Sequence, residues 1–118
     1  KLHQNYLSIK KHGHSQWLEG RHDDVLKQWK LSPIDERAVD KWDDYSRARD
    51  DMLSRTSDAI VPWTVVRADD KRATRLAVIK DILSRLHYHD KDESLLRPEP
   101  DVVFRFAPAY LDNGMVAA

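Results

Sequence analysis

Residues Leu26 to Asp35 read Leu-Lys-Gln-Trp-Lys-Leu-Ser-Pro-Ile-Asp, and Lys41 to Tyr45 read Lys-Trp-Asp-Asp-Tyr. The first stretch joins a basic segment that carries a tryptophan to a strong helix start. Ser32 can cap a helix, Pro33 suits the first helical position because it lacks an N–H, and Asp35 lies in the first turn, where the helix dipole favours an anion. The sequence therefore predicts a cationic hinge that leads into a rigid helix.

The hinge residues themselves leave two interpretations open. Lys27 and Lys30 flank Trp29, so the segment can present positive charge to a ligand. It is equally compatible with a solvated turn in which one tryptophan packs against the body of the protein. The choice between the two depends on the rest of the chain.

Length and composition limit the class of protein. A chain of 118 residues suits one small domain with a single core. The 20 lysines and arginines balance the 20 aspartates and glutamates, so bulk charge does not indicate a nucleic-acid or membrane partner. The chain has no cysteine and no apolar run long enough to span a bilayer. We expect a cytoplasmic protein, and the first residue, Lys1, suggests a piece of a longer chain.

The N-terminal third alternates between apolar and polar character. Residues 6–9 form a short strand candidate, and the polar, basic segment 10–30 follows it. Trp17, Leu18 and Arg21 can share one face of a short helix, but Gly13 and Gly20 weaken that helix and break it near Gly20. We expect a lid-like excursion over this segment.

A helix–strand–helix order follows. Apolar residues recur at helical spacing over 33–56, the β-branched run 63–68 is typical of a strand buried on both faces, and 71–86 is a helix that Asp69 or Asp70 can cap. These segments predict a mainly helical α/β fold with two parallel core strands, which is incomplete because two strands cannot cover both helices. Residues 102–106 can add a short strand.

Catalytic motifs are sparse. Three glycines allow no phosphate-binding P-loop, no Gly-x-Ser-x-Gly nucleophile motif occurs, and the histidines lack the spacing of metal ligands. The remaining signal is basic clustering, which suits phosphoryl transfer because positioned positive charge stabilises the transition state of that reaction. The clustered residues are Lys10, Lys11, Arg21, Lys27 and Lys30.

The chain resembles the C-terminal part of the polyphosphate kinase 2 family over roughly residues 6–88. The resemblance rests on a fixed order of tryptophan, proline and charged positions. The matching residues are Tyr6–Ile9, Arg21, Leu26–Asp35, Lys41–Tyr45, Arg47, Ala48, Met52, Thr56, Pro62–Val66, Ala68–Lys71, Arg75, Leu76 and Ile79.

The resemblance implies a fold and an activity for the parent protein. The family has a thymidylate kinase-like αβα fold with a P-loop, and its members use Mg²⁺ to transfer phosphate between inorganic polyphosphate and ADP, GDP or AMP, including ATP synthesis from polyphosphate. A homo-oligomer is implied as well. On this template residues 1–92 are the C-terminal part of the kinase domain, with a strand, a lid (10–30), a long helix (33–56), the last core strand (63–68) and a helix (71–86), and residues 93–118 form a C-terminal arm.

The resemblance also implies roles for two groups of residues. Arg21, Lys27 and Lys30 would face the polyphosphate or the transferring phosphoryl group. Asp69, Lys71 and Arg75 would have a nucleotide-side or a structural role. No catalytic or metal-binding residue is assigned in this chain, because the P-loop and the acidic residues that hold Mg²⁺ lie upstream of Lys1 in the family.

Two readings of the function follow. In the first, the chain is the lid and C-terminal segment of a polyphosphate-dependent nucleotide kinase and is inactive alone. In the second, it is a non-catalytic interaction module that packs against a partner subunit. An exposed apolar face containing Trp42, Tyr45 and Leu76 would favour the second reading.

Overall fold

A computed structural model describes residues 3–117 apart from the side chain of Glu36, so that Lys1, Leu2 and Ala118 lie outside it. The described residues form a mixed α/β fold. Two short 3₁₀ turns, Gln28–Lys30 and Glu93–Leu96, lie between the longer elements. Those elements are β1 (Asn5–Ser8), α1 (Lys11–Asp23), α2 (Pro33–Asp40), α3 (Trp42–Thr56), β2 (Thr64–Arg67), α4 (Lys71–Ser84), β3 (Val103–Arg105) and α5 (Ala109–Asp112).

The strands form one sheet in the order β1-β2-β3. The strands β1 and β2 are parallel, with Tyr6 opposite Val65, whereas β3 is antiparallel to β2, with Phe104 opposite Val65. The two parallel strands expected from the sequence are therefore joined by a third. As a result β2 is the central strand of this sheet, and β3 confirms the short strand that residues 102–106 were expected to add.

The sheet is covered on both faces. Val65 packs on one side with Leu53 of α3, while its neighbour Val66 packs on the other side with Ala77 of α4. This alternation follows from the pleat of a strand, in which successive side chains point to opposite faces. The run 63–68 thus supplies both halves of the core, and α3 and α4 lie on opposite faces of the sheet.

The C-terminal arm belongs to this core. Phe106 and Val116 pack with Leu53 and Val65, and the backbone N–H of Ala117 donates a 3.0 Å hydrogen bond to Ser8 Oγ. The resemblance implied only a C-terminal arm over residues 93–118. Here the arm supplies the strand β3 and four buried apolar side chains, those of Leu96, Val103, Phe106 and Val116, so it forms part of the core.

The long helix expected over 33–56 is divided at Lys41. The backbone of Lys41 leaves the helical region, with ψ of 14°, and the two parts are α2 and α3. The sequence gives no sign of a break because no glycine or proline lies there. The bend lets α2 pack on α1 while α3 packs on the sheet, so tertiary packing overrides a continuous amphipathic pattern.

The lid contains a continuous helix where the sequence indicated a broken one. The helix α1 runs through both Gly13 and Gly20. Leu18 is buried, and the ring of Trp17 packs against the guanidinium group of Arg21. Such contacts offset the cost of about 1 kcal/mol that each glycine adds to a helix interior.

Candidate functional site

The carboxyl ends of β1 and β2 meet at one edge of the sheet, which is where open α/β sheets bind their ligands. Ala68 N donates a 2.7 Å hydrogen bond to Ser8 O, and the Asp69 Oδ1 accepts a 3.1 Å hydrogen bond from Lys10 N. Asp69 therefore joins the segment after β2 to the segment that enters the lid.

Asp70 caps the helix α4. Its Oδ1 accepts hydrogen bonds from Ala73 N at 2.9 Å and Arg72 N at 2.8 Å. These two hydrogen bonds hold the pKa of the Asp70 carboxyl below its ordinary value, and the bond from Ala73 N has the larger effect. Of the two aspartates that the sequence offered as caps, Asp70 is the one that caps.

The first turns of α4 present positive charge to solvent. Lys71 and Arg75 are exposed and, being four residues apart, they lie on the same face of the helix. Neither side chain has a hydrogen bond or ion pair within residues 3–117. Their position beside the carboxyl edge of the sheet keeps a nucleotide-side role open for both.

Arg21 lies inside the lid. Its Nη1 donates a 2.9 Å hydrogen bond to Lys30 O and lies 3.5 Å from Asp35 Oδ2. Its Cζ atom is 3.4 Å from the centre of the Trp17 ring, and 17% of its side chain is exposed. The guanidinium group thus has three partners within the protein and joins the end of α1 to the start of α2.

Lys27 and Lys30 lie on the outside of the lid, in and just before the 3₁₀ turn. The side chain of Lys27 is 57% exposed, and its Nζ lies 2.6 Å from Asp24 Oδ2. This contact lowers the pKa of the Asp24 carboxyl, and the hydrogen bond from Leu26 N is the second cause of the shift. The Nζ of Lys30 lies 5.1 Å from the ring centre of Trp29, which is itself exposed. Both lysine side chains are exposed to solvent, although the amino group of Lys27 is paired with Asp24.

The structure shows partners of the lid cations that the sequence reasoning had missed. Asp24 is the partner of Lys27, and its i,i+3 spacing was a readable signal. Asp35 was assigned only to the helix start, yet it also binds Arg21, and Trp17 stacks on that arginine. These last two contacts join segments that are separate in the sequence, and spacing alone cannot reveal them.

The described residues show no cluster of metal ligands. No group of three or more histidine, aspartate or glutamate side chains lies close enough to hold a metal ion in the part of the chain that the structure describes. The two acids at the sheet edge, Asp69 and Asp70, already accept backbone hydrogen bonds. Among the described helices, none has the length and apolar character needed to cross a membrane.

Several polyphosphate phosphotransferases match most of this chain. It is 43% identical over 100 residues to the GDP-polyphosphate phosphotransferase of Pseudomonas aeruginosa, covering 85% of the chain and 28% of the relative. It is 38% identical over 106 residues to NDP-polyphosphate phosphotransferase 2 of Ruegeria pomeroyi, and this alignment covers 89% of the chain and 31% of the relative. It is also 43% identical over 91 residues to ADP-polyphosphate phosphotransferase 1 of Rhizobium meliloti, and this alignment covers 77% of the chain and 30% of the relative.

These alignments define what the chain is a part of. It spans just under a third of the length of these three relatives. The family model described as polyphosphate kinase 2 matches residues 1–94. This range includes both parallel strands, the lid and the first four helices. This chain belongs to the polyphosphate kinase 2 family.

Proposed function

We propose that this chain is the lid and C-terminal segment of a phosphotransferase that moves phosphate between inorganic polyphosphate and ADP, GDP or AMP. The observation that carries the proposal is the pair of open lysines, Lys27 and Lys30, on the lid of a chain whose relatives are polyphosphate phosphotransferases. Membership of the family supports the activity, and the exposed charge supports the role of this segment in it.

The chemistry requires positive charge rather than a nucleophile from this segment. In phosphoryl transfer, catalysis rests on positioning and on stabilising the charge of the transferring group. Lys27 and Lys30 contact phosphoryl groups of the polyphosphate chain. Lys71 and Arg75 contribute charge on the nucleotide side, and Asp69 holds the junction between the lid and the sheet.

The rest of the site belongs to the whole protein. We expect a thymidylate kinase-like αβα fold in which a P-loop and the acidic residues for Mg²⁺ come from outside this chain. We further expect a homo-oligomer in the cytoplasm that includes ATP formation among its reactions. The chain on its own is then inactive, because it brings lid charge and core packing without the nucleotide-phosphate cradle.

The interaction-module reading required one apolar face. Tyr45 and Leu76 are exposed, at 58% and 53%, but they lie on α3 and α4, which cover opposite faces of the sheet. Trp42 is half-buried and packs near His14, with ring centres 5.8 Å apart. The three residues therefore form no continuous surface, and the phosphotransferase reading is the better supported one.

Binding of polyphosphate to this chain tests the proposal. We expect the wild-type chain to bind polyphosphate of defined length, and the double variant Lys27→Ala/Lys30→Ala to bind roughly tenfold more weakly at low ionic strength. The dependence of log affinity on log salt should also become shallower, by about 0.7 for each lysine removed, as for single-stranded polyanions. Titration calorimetry at several salt concentrations measures both.

The chain offers a matched control for this experiment. Lys41 is similarly exposed, at 66%, and forms the same kind of i,i+3 ion pair, with Asp44, but it lies at the junction of α2 and α3. We expect Lys41→Ala to bind as the wild type does. Equal affinities for wild type, double variant and control, or no binding at all, would rule out the lid as the polyphosphate surface.

A further inference from the structure

Arg21 differs from the other lid cations in how its charge is used. Only 17% of its side chain is exposed, against 57% for Lys27, and its guanidinium group faces the carboxylate of Asp35 at 3.5 Å. A charge that is enclosed and paired adds little to the field felt by an external anion. To reach a ligand, Arg21 would have to give up its hydrogen bond to Lys30 O.

The contacts of Arg21 fix the turn that carries the two open lysines. Lys30 O accepts from Arg21 Nη1, and Lys30 N in turn donates a 2.9 Å hydrogen bond to Lys27 O. Both lysines are therefore linked through the backbone to one guanidinium group. Without it, the 3₁₀ turn would be held by its own short-range hydrogen bonds, which are weak in isolated turns, and by the 2.9 Å hydrogen bond that Gln28 Nε2 donates to His22 O.

Asp35 anchors Arg21 to the start of α2. Its Oδ2 accepts a 3.2 Å hydrogen bond from Ser32 N, and its own N–H donates to Ser32 Oγ at 3.2 Å. Asp35 is thereby fixed at the start of α2 by a capping box. The same oxygen faces Arg21, so the turn is attached at a rigid helix start.

We propose that Arg21 is a positioning residue, which uses Trp17, Asp35 and the Lys30 carbonyl to fix the turn that presents Lys27 and Lys30, rather than a polyphosphate ligand. This inference rests on the proposed function for its effect on polyphosphate, while the fixing of the turn can be tested without any ligand. The geometry needs a planar group that stacks and donates at once, which arginine provides and lysine does not.

Two substitutions separate positioning from direct contact. Arg21→Lys keeps the positive charge but loses the planar donor group, and Asp35→Asn removes a negative charge while leaving an oxygen for the capping box. If Arg21 positions the turn, both variants should bind polyphosphate at least about threefold more weakly, because the loop must then be ordered on binding. The salt dependence of Arg21→Lys should match that of the wild type, since the number of charges is unchanged.

Direct contact predicts the opposite pattern. Arg21→Lys would then keep nearly the wild-type affinity, and Asp35→Asn would bind more tightly because a carboxylate near the anion is gone. Arg47→Lys is the matched control, since Arg47 is 78% exposed and pairs only with Asp44 among the described residues. That control should leave the affinity unchanged.

Hydrogen exchange gives a readout that needs no polyphosphate. The amides of Lys30 and Leu31 donate to Lys27 O and Gln28 O. In Arg21→Lys and Asp35→Asn we expect these amides to exchange at least about threefold faster, while amides of β2 keep their rates. Unchanged exchange at both amides would overturn the positioning role. Failure of the wild-type chain to bind polyphosphate would instead overturn the proposed function, with the exchange rates still deciding the role of Arg21.

Discussion

Asp70 offers a test of helix capping through pH. Because its pKa is lowered in the folded chain by hydrogen bonds from Ala73 N and Arg72 N, its ionised form stabilises the fold at pH values above the ordinary value of 3.8. That stabilisation is lost as the pH falls through the lowered pKa. We therefore expect the wild type to be more stable than Asp70→Asn at neutral pH, and the difference to shrink under acid conditions.

Urea unfolding of both chains between neutral pH and about pH 3 measures this difference. Comparison of the two variants cancels the contributions of other aspartates with lowered pKa values, such as Asp24, Asp44 and Asp92. A stability difference that does not change with pH would show that the Asp70 carboxylate does not cap α4 in solution.

The roles of single residues were only partly predictable from the sequence. Ser32 and Pro33 predict the start of α2, because helix capping depends on residues that are three positions apart in the sequence. Asp70 as a cap follows from the same local logic. In contrast, the enclosure of Arg21 between Trp17 and Asp35 depends on how α1 packs against α2, and no local pattern encodes that.

Among the secondary-structure elements, the arm makes the strongest prediction. Removal of residues 107–118 takes Val116 away from Leu53 and Val65, which are fully buried in the intact chain. We expect the shortened chain to lose cooperative urea unfolding, or to unfold at a clearly lower urea concentration, because two large core side chains become exposed to water. Circular dichroism during urea titration measures the transition.

A surface substitution provides the control for this deletion. Leu95 is 68% exposed, and Leu95→Ala should unfold at the same urea concentration as the wild type. If the shortened chain also unfolds there, the arm is a peripheral attachment and its place in the core is wrong.

Strands and helices were predictable where one short-range pattern decides them. The run 63–68 indicated a doubly buried strand, and β2 lies within it. The same patterns could not show that Lys41 interrupts a helix or that α1 continues through Gly20, because packing between helices decides both. The antiparallel pairing of β3 with β2 likewise depends on contacts across a large sequence separation.

Across the whole molecule, positive charge is concentrated locally although the total charge is balanced. The net charge is zero, yet Lys27 and Lys30 are open on the lid, and Lys71 and Arg75 are open at the start of α4. In the proposed function, the local placement of these charges rather than the total charge provides the anion contacts. The core formed by α3, the sheet and α4 connects the lid to the start of α4 within one folded unit.

The most direct test of this account places the chain in a working enzyme. Its matched stretch would replace the corresponding 100 residues of the Pseudomonas aeruginosa GDP-polyphosphate phosphotransferase, to which it is 43% identical, and GTP formation from GDP and polyphosphate would be measured with Mg²⁺ present. We predict activity within about tenfold of the parent enzyme, equivalent to about 1.4 kcal/mol of activation free energy, and loss of most of it in Lys27→Ala/Lys30→Ala. A chimera that is folded by circular dichroism and elutes as the parent does, yet forms no GTP, would contradict the assignment of this chain as a phosphotransferase lid.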